Sequence, residues 1–141
     1  MIKKFIICFT VNFTTLLFAQ WEPDFRLTVD DSVSQTSANC GWCVAAQNDT
    51  VHVVWFDYRD GGDKIYYRRS TKGGVSWGPE TMLVDTAACY PGAPVVSLAV
   101  SQPRGVHIVW CDYIRGADDE IFYKRSTDGG TTWCSDTQLT R

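Results

Sequence analysis

The stretch Ser126-Thr-Asp-Gly-Gly-Thr-Thr-Trp133 decides how this chain reads, because a weaker copy, Ser70-Thr-Lys-Gly-Gly-Val-Ser-Trp77, precedes it by 56 residues. Paired glycines permit positive φ and mark a tight hairpin. Working outward, VHVVWFDYR (Val51 to Arg59) returns as VHIVWCDYIR (Val106 to Arg115), and KIYYRRS (Lys64 to Ser70) returns as EIFYKRS (Glu120 to Ser126). Trp21, Trp77 and Trp133 are spaced by 56, as are Leu27, Leu83 and Leu139, and the three segments share W-x-x-[DE]-x-x-L. Offsets are 55 or 56 throughout, and the length differences fall in the loops after Tyr113 and before Pro94. Small changes confined to loops are the mark of a structural repeat.

Each repeat offers four strand candidates. A short apolar run (Cys40 to Ala46, Pro94 to Val100) comes first. Val51 to Asp57 and Val106 to Asp112 follow, apolar on both alternating faces, so both faces are expected to be covered. Ile65 to Ser70 and Ile121 to Ser126 come third, and the Trp-to-Leu segments fourth. No stretch beyond the N-terminal one shows helical periodicity, so the expected class is all-β. Four antiparallel strands per repeat of this length describe a β-propeller blade. The expected division is an outer strand of a closing blade at 21–28, one blade at 29–84 and a second at 85–140. A β-sandwich is the structural alternative, but it does not need a 56-residue internal period. Propellers use roughly four to eight blades. The chain is therefore expected to be an incomplete propeller. Either it is a fragment of a longer gene, the favoured reading, or several copies associate.

The first residues stand apart from this pattern. Lys3 and Lys4, the mostly apolar run Phe5 to Phe18, and Ala19 read as a secretory signal peptide over 1–19, cleaved after Ala19. The run is short for a spanning helix and is diluted by Thr10, Asn12, Thr14 and Thr15. The expected location is secreted or extracytoplasmic, without membrane attachment after cleavage. Losing Lys3 and Lys4 takes the formal net charge from −3 to −5, which does not suggest a nucleic-acid partner. Five cysteines remain: Cys40, Cys43, Cys89, Cys111 and Cys134. Export permits disulfides, an odd count leaves one unpaired or intermolecular, and the pairing stays open. Cys40-Gly-Trp-Cys43 has CxxC spacing but lacks the βαβ context of a redox pair and the second ligand pair of a zinc site. These cysteines are expected to be structural or free.

The pattern Ser126-x-Asp128-x-Gly130-x-Thr132-Trp133 resembles the Asp-box, also called the bacterial neuraminidase repeat, S-x-D-x-G-x-T-W. Ser70, Gly74 and Trp77 keep the pattern in the first copy, where Lys72 and Ser76 replace the aspartate and the threonine. The flanking VHVVW, DYR and IYYRRS segments resemble repeats of secreted sialidase-like propellers, over nearly the whole chain after the signal peptide. The resemblance implies a box that joins the third and fourth strands, away from the active site. Its residues have structural uses: Asp128 can accept hydrogen bonds from turn N–H groups, and Ser126 and Thr132 can satisfy other polar groups. Trp133 is expected to fold under the turn and close the outer edge of its own blade. Lys72 cannot accept those bonds, so the first turn is expected to be looser than the second.

The resemblance places ligands on the opposite rim, formed by the second-to-third strand loops and the crossings between blades. The loops are Asp57 to Asp63 and Asp112 to Asp119; the crossings are Asp30 to Ser37 and Asp85 to Gly92. Sialidases use a tyrosine nucleophile with a carboxylate partner, an acid/base aspartate and an arginine cluster that grips the substrate carboxylate bidentately. Asp57, Tyr58, Arg59, Asp112, Tyr113 and Arg115 are the ligand-binding candidates. They occupy equivalent positions in the two repeats, whereas catalysis needs different residues in different blades, so no catalytic residue is assigned. The expected role is non-catalytic binding of a carbohydrate or surface protein as part of a larger propeller. The alternative is the N-terminal part of an exo-α-sialidase whose catalytic residues lie mostly beyond Arg141. Phe25-Arg26-Leu27 is similar to an arginine motif of sialidase domains, but its alignment with the fourth-strand segments explains it better. No cofactor and no metal are expected: Asp57, Asp60 and Asp63 are spaced by three, unlike the alternate positions of a calcium loop. His52 and His107 recur at one strand position and are expected in packing. Asn48-Asp-Thr50 is a glycosylation sequon, meaningful only on a eukaryotic secretory route.

Overall fold

The computed structural model describes residues 23–37, 42–85, 95–112 and 119–140. The expected signal peptide, Trp21, Cys40, Cys89, Tyr113, Arg115 and most of the 85–92 crossing lie outside the described residues. Within them the chain is all-β, in two antiparallel sheets with no α-helix. The first sheet contains β1 (Ser34–Gln35), β2 (Val44–Gln47), β3 (Thr50–Asp57), β4 (Lys64–Ser70) and β5 (Thr81–Val84). β1 and β2 share one edge of β3, with Ser34 opposite Asp57 and Val44 opposite Val53. The second sheet is the meander β6 (Val96–Ser101), β7 (Gly105–Asp112), β8 (Glu120–Ser126) and β9 (Thr137–Gln138). Val51 lies opposite Ser70 in the first sheet, and Val106 opposite Ser126 in the second. The two central hairpins therefore share one register, carried over by the repeat.

Two elements differ from expectation. β1 is a strand in a segment read as a crossing; its Ser34 hydroxyl is anchored on the buried Asp57 carboxylate at 3.0 Å. The fourth strands are shorter than expected and begin after their tryptophans. Each is preceded by one isolated backbone bond, Gly78 N–H to Arg69 O at 2.9 Å and Cys134 N–H to Arg125 O at 2.9 Å. Pro79 has no N–H to extend the first ladder towards Trp77.

Residues directly opposite in an antiparallel pair share a face. One face of the first sheet carries Val54, Phe56, Ile65 and Tyr67, and Cys43 joins them. This face packs against Val96, Leu98, Val106, Ile108, Trp110 and Phe122 of the second sheet to form one core. Burying each such side chain stabilises the fold by about 1.5–3 kcal/mol. The packing is front to back. Shifted by the repeat, the core face of the first sheet corresponds to Val109, Cys111, Ile121 and Tyr123 on the far face of the second. The core face of the second corresponds to Val51, Val53, Trp55 and Tyr66 on the far face of the first.

Residues 23–29 lie along that far face of the first sheet. Arg68 Nη1 donates to Leu27 O at 2.5 Å, and its guanidinium sits 5.9 Å from the Phe25 ring. Lys124 Nζ donates to Leu83 O at 2.6 Å, the same contact 56 residues later. The N-terminal segment thus meets the first sheet as β5 meets the second, although it forms no ladder.

Candidate functional site

The candidates at the end of β3 form a closed ionic cluster. Arg59 Nε and Nη2 donate to the two Asp57 carboxylate oxygens at 2.8 and 2.6 Å, and Nη1 donates to Glu80 Oε2 at 2.6 Å. The guanidinium lies 4.2 Å over the Tyr66 ring, which stacks on Trp55. The side chains of Arg59, Asp57 and Glu80 are 13%, 0% and 8% exposed. Asp57 also accepts from Trp55 Nε1 at 3.1 Å, Ser34 Oγ at 3.0 Å and the Arg59 N–H at 3.0 Å. Burial alone would push the Asp57 carboxyl up, but the donors from Arg59, Trp55 and Ser34 outweigh it and hold the group well below the usual carboxylate range. The hydrogen bond to Asp57 pushes Arg59 further up, against the effect of burial, and Glu80 adds to it. The bidentate edge of Arg59 that suits a ligand carboxylate is therefore occupied by the protein itself.

Tyr58 points outward beside this cluster, its N–H donating to Val33 O at 3.1 Å. Asp112 is fully buried opposite Glu120, while Tyr113 and Arg115 fall outside the described residues. The structure thus brings Asp57 and Arg59 together with Glu80, a residue not singled out as a site. A signal was present: Glu80 is the acid of W-x-x-[DE]-x-x-L, and its repeat mate Asp136 sits 2.9 Å from Lys124 Nζ.

The Ser126–Trp133 turn is built on two acceptors. Ser126 Oγ accepts from the Asp128 and Gly130 N–H groups at 3.3 and 2.8 Å. Asp128 accepts from the Thr131 and Thr132 N–H groups, both at 2.9 Å, from Thr132 Oγ1 at 2.7 Å and from Ser126 Oγ at 2.7 Å. The bonds from Thr132 and Ser126 hold its carboxyl well below the usual range. Gly129 and Gly130 have φ of 74° and 81°. In the first copy, Ser70 Oγ repeats its part, accepting from Lys72 and Gly74 N–H at 3.1 and 2.9 Å. The carboxylate half has no counterpart there; the Val75 N–H turns to Lys72 O at 3.1 Å. Each turn is also tied to its neighbouring hairpin, Gly73 N–H to Asp49 O at 2.7 Å and Gly129 N–H to Arg104 O at 2.9 Å.

Trp133 does not close the edge of its own sheet. Its ring meets Tyr67 of the first sheet edge-on, with centroids 5.0 Å apart. Gly130 abuts the same tyrosine, so the second turn is docked on the first sheet. Between the two turns opens a cleft of about 430 Å3 lined by Tyr67, Arg69, Thr71, Trp77, Pro79 and Thr131. Arg69 Nη1 donates to Gly129 O at one end. Burial pushes the Tyr67 hydroxyl up, and it bonds His52 Nδ1 at 2.6 Å, so it stays a phenol rather than an activated nucleophile. Burial, with Arg69 adding, lowers His52 to about 4 and keeps it neutral at physiological pH. His107 repeats the contact with Tyr123 at 2.7 Å.

Of the described cysteines, Cys43 is buried, Cys111 half-buried and Cys134 exposed. Cys43 Sγ accepts from the Ser37 N–H at 3.3 Å inside the core, and Cys134 Sγ accepts from the Arg125 N–H at 3.2 Å. Burial, followed by Asp119 and Asp112, pushes the Cys111 thiol up, opposite to the shift of a reactive cysteine. Among the described residues, no three His, Cys, Asp or Glu side chains are grouped to hold a metal, and no helix is long and apolar enough to cross a membrane. No family profile matches the chain, and no curated protein matches it.

Proposed function

We propose that this chain is a non-catalytic, carbohydrate-binding module of sialidase-like β-propeller type, whose two sheets are successive blades. The front-to-back packing at a constant repeat offset supports the blade reading, because a propeller stacks each blade on the next in the same sense. The observation that carries the binding reading is the cleft between the box turns. Trp77 offers apolar ring surface for the C–H face of a sugar, while Arg69, Thr71 and Thr131 offer polar groups for its hydroxyls and acidic substituents. Its volume lies in the range of small-molecule sites. This cleft is on the rim opposite to the loops that the family resemblance implicates. At those loops Arg59 is already held by Asp57 and Glu80, which supports binding over catalysis.

Titration of the exported chain with neutral, sialylated and sulfated oligosaccharides, followed by tryptophan fluorescence and calorimetry, tests the reading. Saturable binding that weakens at least about tenfold in Trp77→Ala, the loss of about 1.4 kcal/mol, is expected. Binding unaffected by Trp77→Ala, or absent for all three sugar classes, counts against it. Turnover of an aryl sialoside by this chain would refute the non-catalytic assignment.

A further inference from the structure

The front-to-back packing leaves two unlike faces open, and the repeat makes them complementary. At the far face of the second sheet, Val109, Cys111, Ile121 and Tyr123 are only partly buried. Their counterparts Val54, Phe56, Ile65 and Tyr67 are fully covered by the second sheet. Together with Trp42, Val95 and Ser97, the far face forms a shallow, mainly apolar recess of about 450 Å3. At the far face of the first sheet the inequality reverses. Val44 is 47% exposed, whereas Leu98, at the same register in the second sheet, is 6% exposed. Val51 and Val53 are partly exposed, while their counterparts Val106 and Ile108 are buried. Trp55 and Tyr66 are already covered, beneath Arg59 and beside the 23–29 segment. The open part of this face is therefore the β2–β3 half, around Val44, Val51 and Val53. In the intramolecular interface this same half, as β6 and β7, is what fills the partner face.

We infer that the far face of the second sheet is a docking surface for the Val44–Val51–Val53 face of a second copy of this chain. The interface repeats the one already present between the two sheets. A second copy is the occupant because each chain carries both halves: the recess at one end, and at the other the apolar face whose repeat mate fills the equivalent recess inside the molecule. Such an interface is heterologous, joining unlike patches head to tail, so it either closes into a ring or extends into a filament. Exposed contiguous apolar faces of this kind favour association. The inference rests on the repeat packing that also supports the blade reading, but not on the sugar cleft.

The test uses capped variants of the full chain, studied by analytical ultracentrifugation, with the fold followed by circular dichroism. The unmodified chain is expected to gain mass with concentration. Val44→Lys disables one face and Val109→Lys the other, so each variant alone is expected to be a monomer. Mixed, they retain one good face of each kind and are expected to form a one-to-one dimer and nothing larger. Ser97→Lys serves the same purpose if Val109→Lys disturbs the fold. A monomer at every concentration overturns the inference. So does association that neither substitution reduces, as would arise from the apolar N-terminal stretch, and so does a failure of the mixed variants to pair. Assembly that stops at a fixed small number of copies supports docking and ring closure together. Growth without limit supports docking and counts against a closed propeller, which separates this inference from the fold reading.

Discussion

The Asp57–Arg59–Glu80 cluster is either an internal brace or a ligand clamp, and Arg59→Ala separates the two. Removing one partner of a buried ion pair costs about 3–5 kcal/mol, because the remaining charge is stranded in a poor solvent. Here the stranded groups are Asp57, with a fully buried side chain, and Glu80, 8% exposed. The loss is softened because Asp57 keeps three donors: Trp55 Nε1, Ser34 Oγ and the residue-59 N–H. It is increased by the lost contact with the Tyr66 ring, worth about 0.5–1 kcal/mol. The expected net destabilisation is about 2–3 kcal/mol, or a fall in Tm of about 10 °C for a chain of this size. Arg59→Lys keeps the charge but not the fork, and is expected to lose about half as much. Urea unfolding at constant m-value measures both. A double-mutant cycle with Glu80→Gln should show coupling of about 1 kcal/mol. A change within about 0.5 kcal/mol for Arg59→Ala, the usual range for surface substitutions, would refute the brace and return the guanidinium to the role of ligand clamp.

Three further outcomes follow from the turns and the core. Lys72→Asp should supply the missing acceptor to the first turn, stabilising the protein by about 1 kcal/mol and slowing amide exchange at Val75 and Ser76 towards the rates of Thr131 and Thr132. Unchanged exchange, or already slower exchange in the unmodified first turn, would mean that the aspartate acceptor does not tighten the turn. Gly130→Ala and Gly74→Ala share a left-handed penalty of about 1–2 kcal/mol at φ of 81° and 92°. A β-carbon at residue 130 would also lie 2.0 Å from Tyr67 Oη, whereas one at residue 74 meets nothing within 4 Å, so thermal unfolding should show the Gly130 variant as clearly the worse. Equal losses would mean that the second turn is not docked on Tyr67. Burial holds the folded-state pKa of His52 at about 4, below its usual 6.5, so between these values the unfolded chain takes up a proton that the folded chain refuses. Stability should therefore fall as pH drops from 6.5 towards 4, by up to about 1.4 kcal/mol per pH unit, and His52→Gln should flatten that segment of the profile. Asp57 and Asp128 act in the same sense but lower down: their contribution is present above the unfolded carboxylate value and is lost as pH falls below it.

Much of the architecture was legible in the residues alone. The 55–56 offset, the paired glycines and the two-faced apolar runs predicted two sets of four antiparallel strands, and the central hairpins of the two sheets share one register. The Ser126–Trp133 turn was legible because each contact is local. Ser126, Asp128, Gly130 and Thr132 meet within one turn, where spacing determines which atoms can touch. The same locality showed that Lys72 breaks half of the pattern.

What lay beyond the sequence was every relation between sheets. Alternation revealed that Val54 and Phe56 oppose Val53 and Trp55 and predicted cover on both faces; instead the Val54 and Phe56 face is fully buried while Val51 and Val53 stay partly exposed, because the second sheet packs on one face alone. Trp133 was expected to close its own edge and instead packs on Tyr67, 66 residues away, because the second turn docks on the first sheet. Arg59 looked available to a ligand until β4 and the residue just before β5 placed Tyr66 and Glu80 around it. Local sequence spacing determined the strands and their turns. Only the front-to-back packing of two similar sheets decided which side chains are core, which arginine is occupied and which faces remain open, because those depend on contacts across the chain rather than along it.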